Sequence, residues 1–296
     1  MFLFLSVMNN QQLNILTIDL EEWFHINDSD WIPPSSWTRL EPRVIQNTLS
    51  LLDLLAKHHQ KATFFTLGWI AEYYPDLIRE ILVQGHELGY HSYYHLRPFR
   101  QTRAEFEQDL EKGLSLISSI SGKSVNIYRA PNLSLNSESL WILPILVKHG
   151  ITISSSIRAF RRLSNVQASS RPFKWLTTNG SLVEFPLNRS PFFGYPLTYT
   201  GSGYFRVIPY AVARRLFIRS DYNMAYFHPN DIDDQHPTAK EIGLIRNFMN
   251  VVGTSGAFRK IGHLLSDFKF VTISVASDVI QMNEMPEIMI EDNFSI

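Results

Sequence analysis

Residues 13–25, LNILTIDLEEWFH, begin as a short apolar run and end in acidic and aromatic residues. Such a run, rich in β-branched residues, is typical of a strand buried on both faces. Similar runs recur at ATFFTL (62–67), VNIYRA (125–130), ITIS (151–154), LVEFPL (182–187) and MAYFH (224–228). The opening stretch therefore predicts the first of several strands in one sheet.

Helical patterns lie between these runs. Leucines follow Pro42 at helical spacing, Pro75 opens a second helix, and Thr102 with Glu105 forms a capping box before a third. Alternating strands and helices predict parallel strands joined by right-handed crossovers. We therefore expect an α/β fold built as a barrel or barrel-like sheet, with active residues at the carboxyl ends of its strands.

The chain is expected to form one domain over residues 1–283, because no linker divides it. Residues 155–206 interrupt the alternation and predict an insertion over one face of the barrel. Residues 284–296 are acidic and lack periodicity, which predicts a loose tail. The apolar run at 1–7 is too short for a membrane span and lacks the basic residues of a signal peptide, so a ragged start or an edge strand is expected.

Composition narrows the chemistry. The 27 basic residues balance 28 acidic ones, which argues against nucleic acid as a partner. The chain has no cysteine, so any metal site depends on histidine and carboxylate. No segment suggests stable membrane insertion, and a cytoplasmic location is expected. The oligomeric state is left open.

A candidate metal site joins two of the predicted strand ends. Asp19 and Glu21 are two residues apart and project from one face of an extended chain. In GHELGYHSYYH (85–95), His91 and His95 are four apart. Chance produces such a pair often, so the spacing alone decides nothing. Together, Glu21, His91 and His95 make a three-ligand hydrolytic zinc shell with a position open for water.

Two further strand ends supply acid–base groups. Asp19 is the candidate general base, Arg129 would keep it ionised and oriented, and His228 is the candidate acid that protonates a departing amine. This set predicts amide or ester hydrolysis. Each residue alone also fits an ordinary role, such as a solvated strand-end acid or a surface ion pair. His86 is expected to be structural, whereas His25 fits either a structural role or the wall of a cleft.

Four motifs, in order, resemble those of the polysaccharide deacetylase superfamily, the NodB-homology fold of carbohydrate esterase family 4. They are TIDLEEWF (17–24), GHELGYHSYYH (85–95), YRAPNLS (128–134) and YFHPND (226–231). The resemblance implies a distorted (β/α)7-type barrel, one divalent ion such as Zn²⁺ on Glu21, His91 and His95, and an acetamido sugar or glycan as substrate. It also assigns Asp19 as base, Arg129 beside it, and His228 as acid.

Finer features resemble a bacterial subgroup associated with exopolysaccharide and O-antigen biosynthesis: the D-x-E spacing, EFPLN (184–188), GSGYFRVIPY (201–210) and IGHLLSDFKFV (261–271). This predicts N-deacetylation of an acetamido sugar during assembly of a surface polysaccharide. Two other functions stay open: hydrolysis of a small cyclic amide or imide, and glycan binding by a catalytically impaired homologue.

Departures from the family pattern concern three positions. Many relatives have two adjacent aspartates, whereas here the metal acid is Glu21 in D-x-E, and Glu22 next to it is a possible substitute ligand. Ser154 stands where relatives often have an aspartate, and Asn230 where they often have tryptophan. If that aspartate tunes the acid, His228 is expected to be less basic here.

Overall fold

The computed structural model describes residues 12–25, 32–163, 166–192, 195–237, 243–280 and 285–290. The predicted start of the chain, residues 1–11, lies outside them. The described residues form a nine-stranded sheet, two small two-stranded sheets and the helices that pack around them. None of the described helices combines the length and the apolar character that crossing a bilayer requires.

The strands and helices alternate through the first half of the chain. The strands are β1 (Leu13–Leu20), β2 (Thr63–Thr66), β3 (Glu87–Tyr90), β4 (Ile127–Tyr128), β5 (Ile153–Ser154), β6 (Arg162–Leu163), β7 (Val166–Gln167), β8 (Phe173–Thr177), β9 (Gly180–Glu184), β10 (Ser190–Phe192), β11 (Tyr195–Leu197), β12 (Tyr222–Phe227) and β13 (Glu287–Met289). The α-helices are α1 (Val44–Lys57), α2 (Gly68–Tyr73), α3 (Pro75–Val83), α4 (Arg103–Ser121), α5 (Ile142–Lys148), α6 (Ser202–Val207), α7 (Tyr210–Arg219), α8 (Leu244–Val251), α9 (Thr254–Asp267) and α10 (Ile273–Val279).

The main sheet has the strand order β12-β1-β2-β3-β4-β5-β9-β8-β13. Neighbours from β12 to β9 are parallel, whereas β8 and β9 form an antiparallel hairpin. The predicted α/β class is confirmed. In the described part of the chain the sheet is open between β12 and β13, because the hairpin and β13 extend one edge instead of closing a barrel.

The first strand lies inside the sheet and is buried on both faces. Ile15, Leu16, Ile18 and Leu20 of β1 are all at most 1% exposed. A continuous apolar run is what a central parallel strand requires, since helices or loops cover both of its faces. The burial of β1 fixes the residues that follow it at the sheet's carboxyl edge.

The predicted helix starts agree with the structure. Pro75 is the first residue of α3, and Thr102 caps α4 by accepting a hydrogen bond from the backbone N–H of Glu105. The side chain of Glu105 completes the capping box by accepting the backbone N–H of Thr102 at 2.8 Å. These helix termini were predictable because they depend on residues close in sequence.

Two segments outside the regular alternation belong to the main sheet. The predicted insertion, 155–206, contributes the β8–β9 hairpin. Within the predicted tail, β13 pairs with β8, and Ile290 is only 7% exposed. The expectation of a loose tail is therefore wrong for residues 285–290, because this segment has a sheet edge to pair with. Residues 291–296 lie outside the described residues.

Candidate metal centre and catalytic groups

The predicted site residues lie at the carboxyl ends of four parallel strands. Asp19 and Glu21 lie at the end of β1, His91 and His95 follow β3, Arg129 follows β4, and His228 follows β12. These strands belong to one continuous parallel stretch of the sheet, so their carboxyl ends meet at one edge. The structure brings all six residues together there.

Glu21 meets both histidines of the predicted metal shell through one carboxylate oxygen. Its Oε1 lies 3.4 Å from Nε2 of His91 and 3.3 Å from Nε2 of His95. In a tetrahedral zinc site with bonds of about 2.0–2.1 Å, the ligand atoms lie roughly 3.3 Å apart. The three residues are buried. Their donor atoms therefore fit a divalent ion, and they form a potential metal site.

The ring orientation of His91 leaves one nitrogen available to a metal. Its Nδ1 lies 2.8 Å from the carbonyl oxygen of Arg129. A carbonyl only accepts, so Nδ1 carries the hydrogen and donates it, which leaves a lone pair on Nε2. That Nε2 is buried with no hydrogen-bond partner among the described residues. A cation bound between this nitrogen and the nearby carboxylate would give the buried acceptor a partner.

His95 reaches the same place through an unusual loop. Both of its ring nitrogens are buried without a hydrogen-bond partner in the described residues. Its φ is +58°, and that of Ser92 is +65°. Non-glycine residues rarely adopt this left-handed conformation, which costs free energy and often occurs at functional sites. The loop turns back after β3 and places the second imidazole beside Glu21.

Unlike Glu21, Glu22 binds the start of helix α1. Its Oε1 accepts the backbone N–H groups of Arg43 at 2.8 Å and Val44 at 2.9 Å. These are free donors at the first turn of α1, so Glu22 caps that helix from a distance in sequence. The alternative of Glu22 as a metal ligand is therefore not supported, and Glu21 is the acid that faces the imidazoles.

Asp19 is held by a fully buried arginine. Nη1 of Arg129 donates to Oδ1 of Asp19 at 2.7 Å and to Oγ1 of Thr17 at 2.9 Å. Nε and Nη2 of the same guanidinium donate to the carbonyl and hydroxyl oxygens of Ser155. The guanidinium also lies over the ring of Phe65, 4.0 Å from its centroid. These contacts fix the carboxylate, whose Oδ2 faces the site 3.9 Å from Nε2 of His91.

His228 completes the cluster from the other side. Its Nε2 lies 3.5 Å from Oε1 of Glu21 and 3.8 Å from Oδ2 of Asp19. On the far side of the ring, Nδ1 lies 3.2 Å from Oδ2 of Asp231. Oδ1 of Asp231 in turn lies 3.3 Å from Nε of Arg206. Sequence reasoning missed Asp231, although Pro229 at the start of a 3₁₀ turn was a signal that residue 231 folds back.

The ionisable groups of this cluster shift one another's pKa values. Burial alone would raise the pKa of Glu21, but the nearby His95, His228 and His91 outweigh it and hold that pKa well below its usual value. Burial would lower the pKa of His228, but Asp231 and the carboxylate of Glu21 raise it to about 9. Asp231 supplies a carboxylate behind the ring in this chain, and the expectation that His228 is less basic than in relatives stays a prediction.

Ser154 belongs to a buried network away from His228. Its hydroxyl donates to that of Ser156 at 2.8 Å. The backbone N–H of Ser156 donates to Oε1 of Glu184 at 2.6 Å, and Trp175 donates to the other oxygen at 3.3 Å. Glu184 is fully buried, and burial raises its pKa. This network fixes the Ser155 segment that holds Arg129.

His86 and the aromatic residues of the His91–His95 loop and of α6 differ in their surroundings. His86 accepts the backbone N–H of Ala62 at 3.2 Å, in agreement with a structural role. Tyr93 and Phe205 are buried, whereas Tyr204 is 56% exposed. Beside the metal residues, a pocket of about 150 Å³ is lined by Glu21, His25, Ser202, His228, Asn230 and Asn250 among others.

Two family models match consecutive parts of the chain. Residues 42–153 match the family described as polysaccharide deacetylase. Residues 155–277 match a domain of unknown function, DUF3473. The strand β5 at this boundary pairs with β4 on one side and β9 on the other, so one sheet crosses both matched regions.

Curated relatives are similar over part of the chain. A peptidoglycan deacetylase of Helicobacter pylori is 33% identical over 107 residues, which are 36% of this chain and 36% of that protein. The peptidoglycan-N-acetylmuramic acid deacetylase PdaA of Bacillus subtilis is 32% identical over 31% of this chain and 35% of its own length. A chitooligosaccharide deacetylase of Sinorhizobium fredii is 38% identical over 28% of this chain and 40% of its own. The chain thus spans little more than a third of the length of these relatives.

A solved structure from Mycobacterium smegmatis, assigned by name to the polysaccharide deacetylases, is similar over almost the whole chain. It aligns with a TM-score of 0.64 over 98% of this chain and 97% of its own, at 17% identity. At that identity the likeness concerns the fold.

Proposed function

We propose that this chain carries a polysaccharide deacetylase domain and that it hydrolyses the N-acetyl group of an acetamido sugar with the help of one divalent metal ion. The proposal is based on one observation: Oε1 of Glu21 lies 3.4 Å from Nε2 of His91 and 3.3 Å from Nε2 of His95. The relatives named as peptidoglycan and chitooligosaccharide deacetylases support an acetamido sugar as the proposed class of substrate.

The metal would be held by Glu21, His91 and His95, and Zn²⁺ suits this set of two nitrogens and one oxygen. Such an ion supplies Lewis acidity, which polarises the acetamide carbonyl and makes water a stronger acid. The hydrogen bond from His91 Nδ1 to the Arg129 carbonyl keeps the ring in the ligating tautomer.

Asp19 is suited to the role of general base. Arg129 donates to one of its oxygens at 2.7 Å, which fixes the plane of the carboxyl group. The other oxygen faces both His91 and His228. Asp19 can take a proton from the attacking water at this oxygen, while Arg129 holds the carboxyl group in position.

His228 is suited to the role of general acid. Its Nδ1 faces Asp231, so the carboxylate stabilises the imidazolium and directs Nε2 toward Glu21 and Asp19. A proton on Nε2 can pass to the nitrogen of the departing amine as the C–N bond breaks. The carboxylate behind His228 weakens the case for an impaired homologue, which depended on the absence of such an acid.

The site's accessibility bears on the substrate. The side chain of His228 is 19% exposed, so the catalytic groups reach solvent. An accessible site suits a sugar attached to a larger molecule better than it suits a small ring enclosed on all sides. Together with the motifs that resemble those of the exopolysaccharide and O-antigen subgroup, this supports a role in assembling a bacterial surface polysaccharide, for which we propose a cytoplasmic location.

Acetate release tests the proposal. The purified protein, stripped with a chelator and reloaded with Zn²⁺, is expected to release acetate from N-acetylglucosamine oligomers, and Glu21→Ala and His91→Ala are expected to abolish release. His149→Ala is the matched control, because His149 contacts Glu107 in a separate acid–histidine cluster. A Glu21→Ala protein with undiminished release would refute the assignment. Nucleotide-linked and lipid-linked acetamido sugars, run in the same assay, test the biosynthetic role.

A further inference from the structure

His25 is a buried histidine in the pocket for which neither the metal shell nor the acid–base pair has a use. It ends the turn that follows β1, where its backbone N–H donates to the carbonyl of Glu22 at 3.1 Å. The residue is 1% exposed and lines the same pocket as Glu21 and His228. The turn thus carries His25 to the wall beside the proposed metal ligands.

One hydrogen bond defines the tautomer of His25. The backbone N–H of Glu22 donates to its Nδ1 at 3.1 Å, so Nδ1 carries no hydrogen. A neutral imidazole has one N–H, which must then be on Nε2. Burial lowers the pKa of His25 well below its usual value, in agreement with a neutral ring. His25 is therefore a neutral donor through Nε2.

This donor has no acceptor among the described residues. Its Nε2 is buried and without a hydrogen-bond partner there. The ring packs against the aromatic rings of Trp37, Phe24 and Trp69, with centroids 4.3, 4.9 and 5.0 Å away. These rings immobilise the imidazole and offer no oxygen. A buried donor left without a partner costs free energy, and a ligand oxygen would recover it.

We propose that Nε2–H of His25 donates a hydrogen bond to an uncharged oxygen of the acetamido sugar bound in this pocket. The inference rests on the proposed function and adds a substrate-binding residue to it. A neutral donor favours an amide carbonyl or a hydroxyl, whereas a carboxylate or a phosphate is bound best by a cation. The side chains of Ser202, Asn230 and Asn250 add neutral polar groups to the same pocket.

Two substitutions separate substrate binding from support of the turn. In His25→Asn, the carboxamide oxygen stands near the place of Nδ1, so the bond from Glu22 is kept and the Nε2 donor is lost. In His25→Gln, the longer side chain carries an N–H toward the place of Nε2 and gives up the bond from Glu22. A purely structural role predicts that His25→Gln is the more damaging change, whereas our proposal predicts the opposite order for sugar binding.

The experiment combines calorimetry with NMR of the full chain labelled with ¹⁵N-histidine. N-acetylglucosamine, glucosamine and acetamide are titrated into the wild-type protein and both variants. We expect the Kd for N-acetylglucosamine to rise about tenfold in His25→Asn and less in His25→Gln, the loss typical of one hydrogen bond. In the wild type, the Nε2 resonance of His25 should shift on binding. A shift with acetamide identifies the amide oxygen as acceptor, and one with glucosamine alone identifies a hydroxyl.

The outcomes distinguish this inference from the proposed function. Acetate release together with unchanged sugar affinity in His25→Asn would overturn the role of His25 and leave deacetylation standing. A shift of the Nε2 resonance without any acetate release would support the donor and contradict the catalytic proposal. A wild-type protein that binds none of the three probes would overturn the inference.

Discussion

Asp231 contacts His228 at two points, the backbone N–H and the imidazole ring. Its Oδ2 accepts the backbone N–H of His228 at 2.8 Å and lies 3.2 Å from the imidazole Nδ1. Ser202 also contacts that nitrogen at 3.2 Å, and Arg206 holds the other oxygen of Asp231. The imidazole is therefore oriented by groups behind it, and its Nε2 is directed at the reaction site.

Replacing Asp231 with Asn should reduce turnover more than substrate binding. We expect kcat to fall by about 10- to 100-fold, because the ring loses the charge that orients it and stabilises its protonated form, while KM and bound metal stay near wild type. Steady-state kinetics with metal analysis measures this. Asp234→Asn is the control, since Asp234 is exposed. Equal kcat values for the two variants would contradict the positioning role.

The adjacent acids Glu21 and Glu22 should respond differently to alanine. Glu21→Ala should lose stoichiometric metal, because one of its three ligands is gone. Glu22→Ala should keep the metal and lower the free energy of unfolding of the metal-free protein by about 1–2 kcal/mol, since it removes a helix cap. Elemental analysis and urea unfolding measure the two effects. Metal retained at full stoichiometry in Glu21→Ala would show that another group binds it.

Arg129 and Asp19 should show strong energetic coupling. Arg129→Met leaves Asp19 buried without its counter-charge and should lower the free energy of unfolding by about 3–5 kcal/mol. Adding Asp19→Asn removes that charge and should recover part of the loss. A double-mutant cycle by urea unfolding gives the coupling free energy. Strictly additive effects would mean that the 2.7 Å contact contributes nothing specific.

His86 should make stability depend on pH. Burial, with the nearby charge of Lys61, lowers the pKa of His86 to about 4. The unfolded chain has a histidine pKa near 6.5, so it binds the proton first, and stability that is complete above pH 6.5 is lost as the pH falls toward 4.

The expected loss from His86 is about 2 kcal/mol between pH 7 and pH 5. His86→Asn keeps an acceptor for the N–H of Ala62 and takes up no proton, so its free energy of unfolding should decline less over the same interval. Urea unfolding at both pH values measures the difference. Identical declines for both proteins would assign the pH dependence to other groups.

The position of the site was predictable because strand ends are local features of the sequence. Asp19, His91 and Arg129 each follow an apolar run, and parallel strands must deliver such residues to one edge. Choosing Glu21 over Glu22 was harder, because the deciding contact of Glu22 is with the start of α1, about twenty residues away. Contacts between residues so far apart in sequence are determined by tertiary packing and not by the local sequence pattern.

The missed features have different physical causes. The apolar pattern predicts a strand at LVEFPL but not its partner, so the antiparallel β8–β9 hairpin and the open edge of the sheet could not be foreseen. β13 is a short edge strand in which Glu287 and Met289 are exposed, so it has little apolar signal of its own. Asp231 was overlooked because an acid beside a proline turn usually faces solvent.

The hydrogen bonds from Arg129 to Ser155 have a consequence for evolution and engineering. The guanidinium comes from the first half of the chain, while the hydroxyl and carbonyl that hold it come from the second. A recombinant whose second half comes from a distant homologue keeps the contacts of Arg129 with Asp19 and Thr17 but loses the hydroxyl of Ser155 wherever the homologue has no hydroxyl there. Exchange at residue 154 should therefore lower the stability of the chimaera unless the incoming half also carries a hydroxyl at position 155.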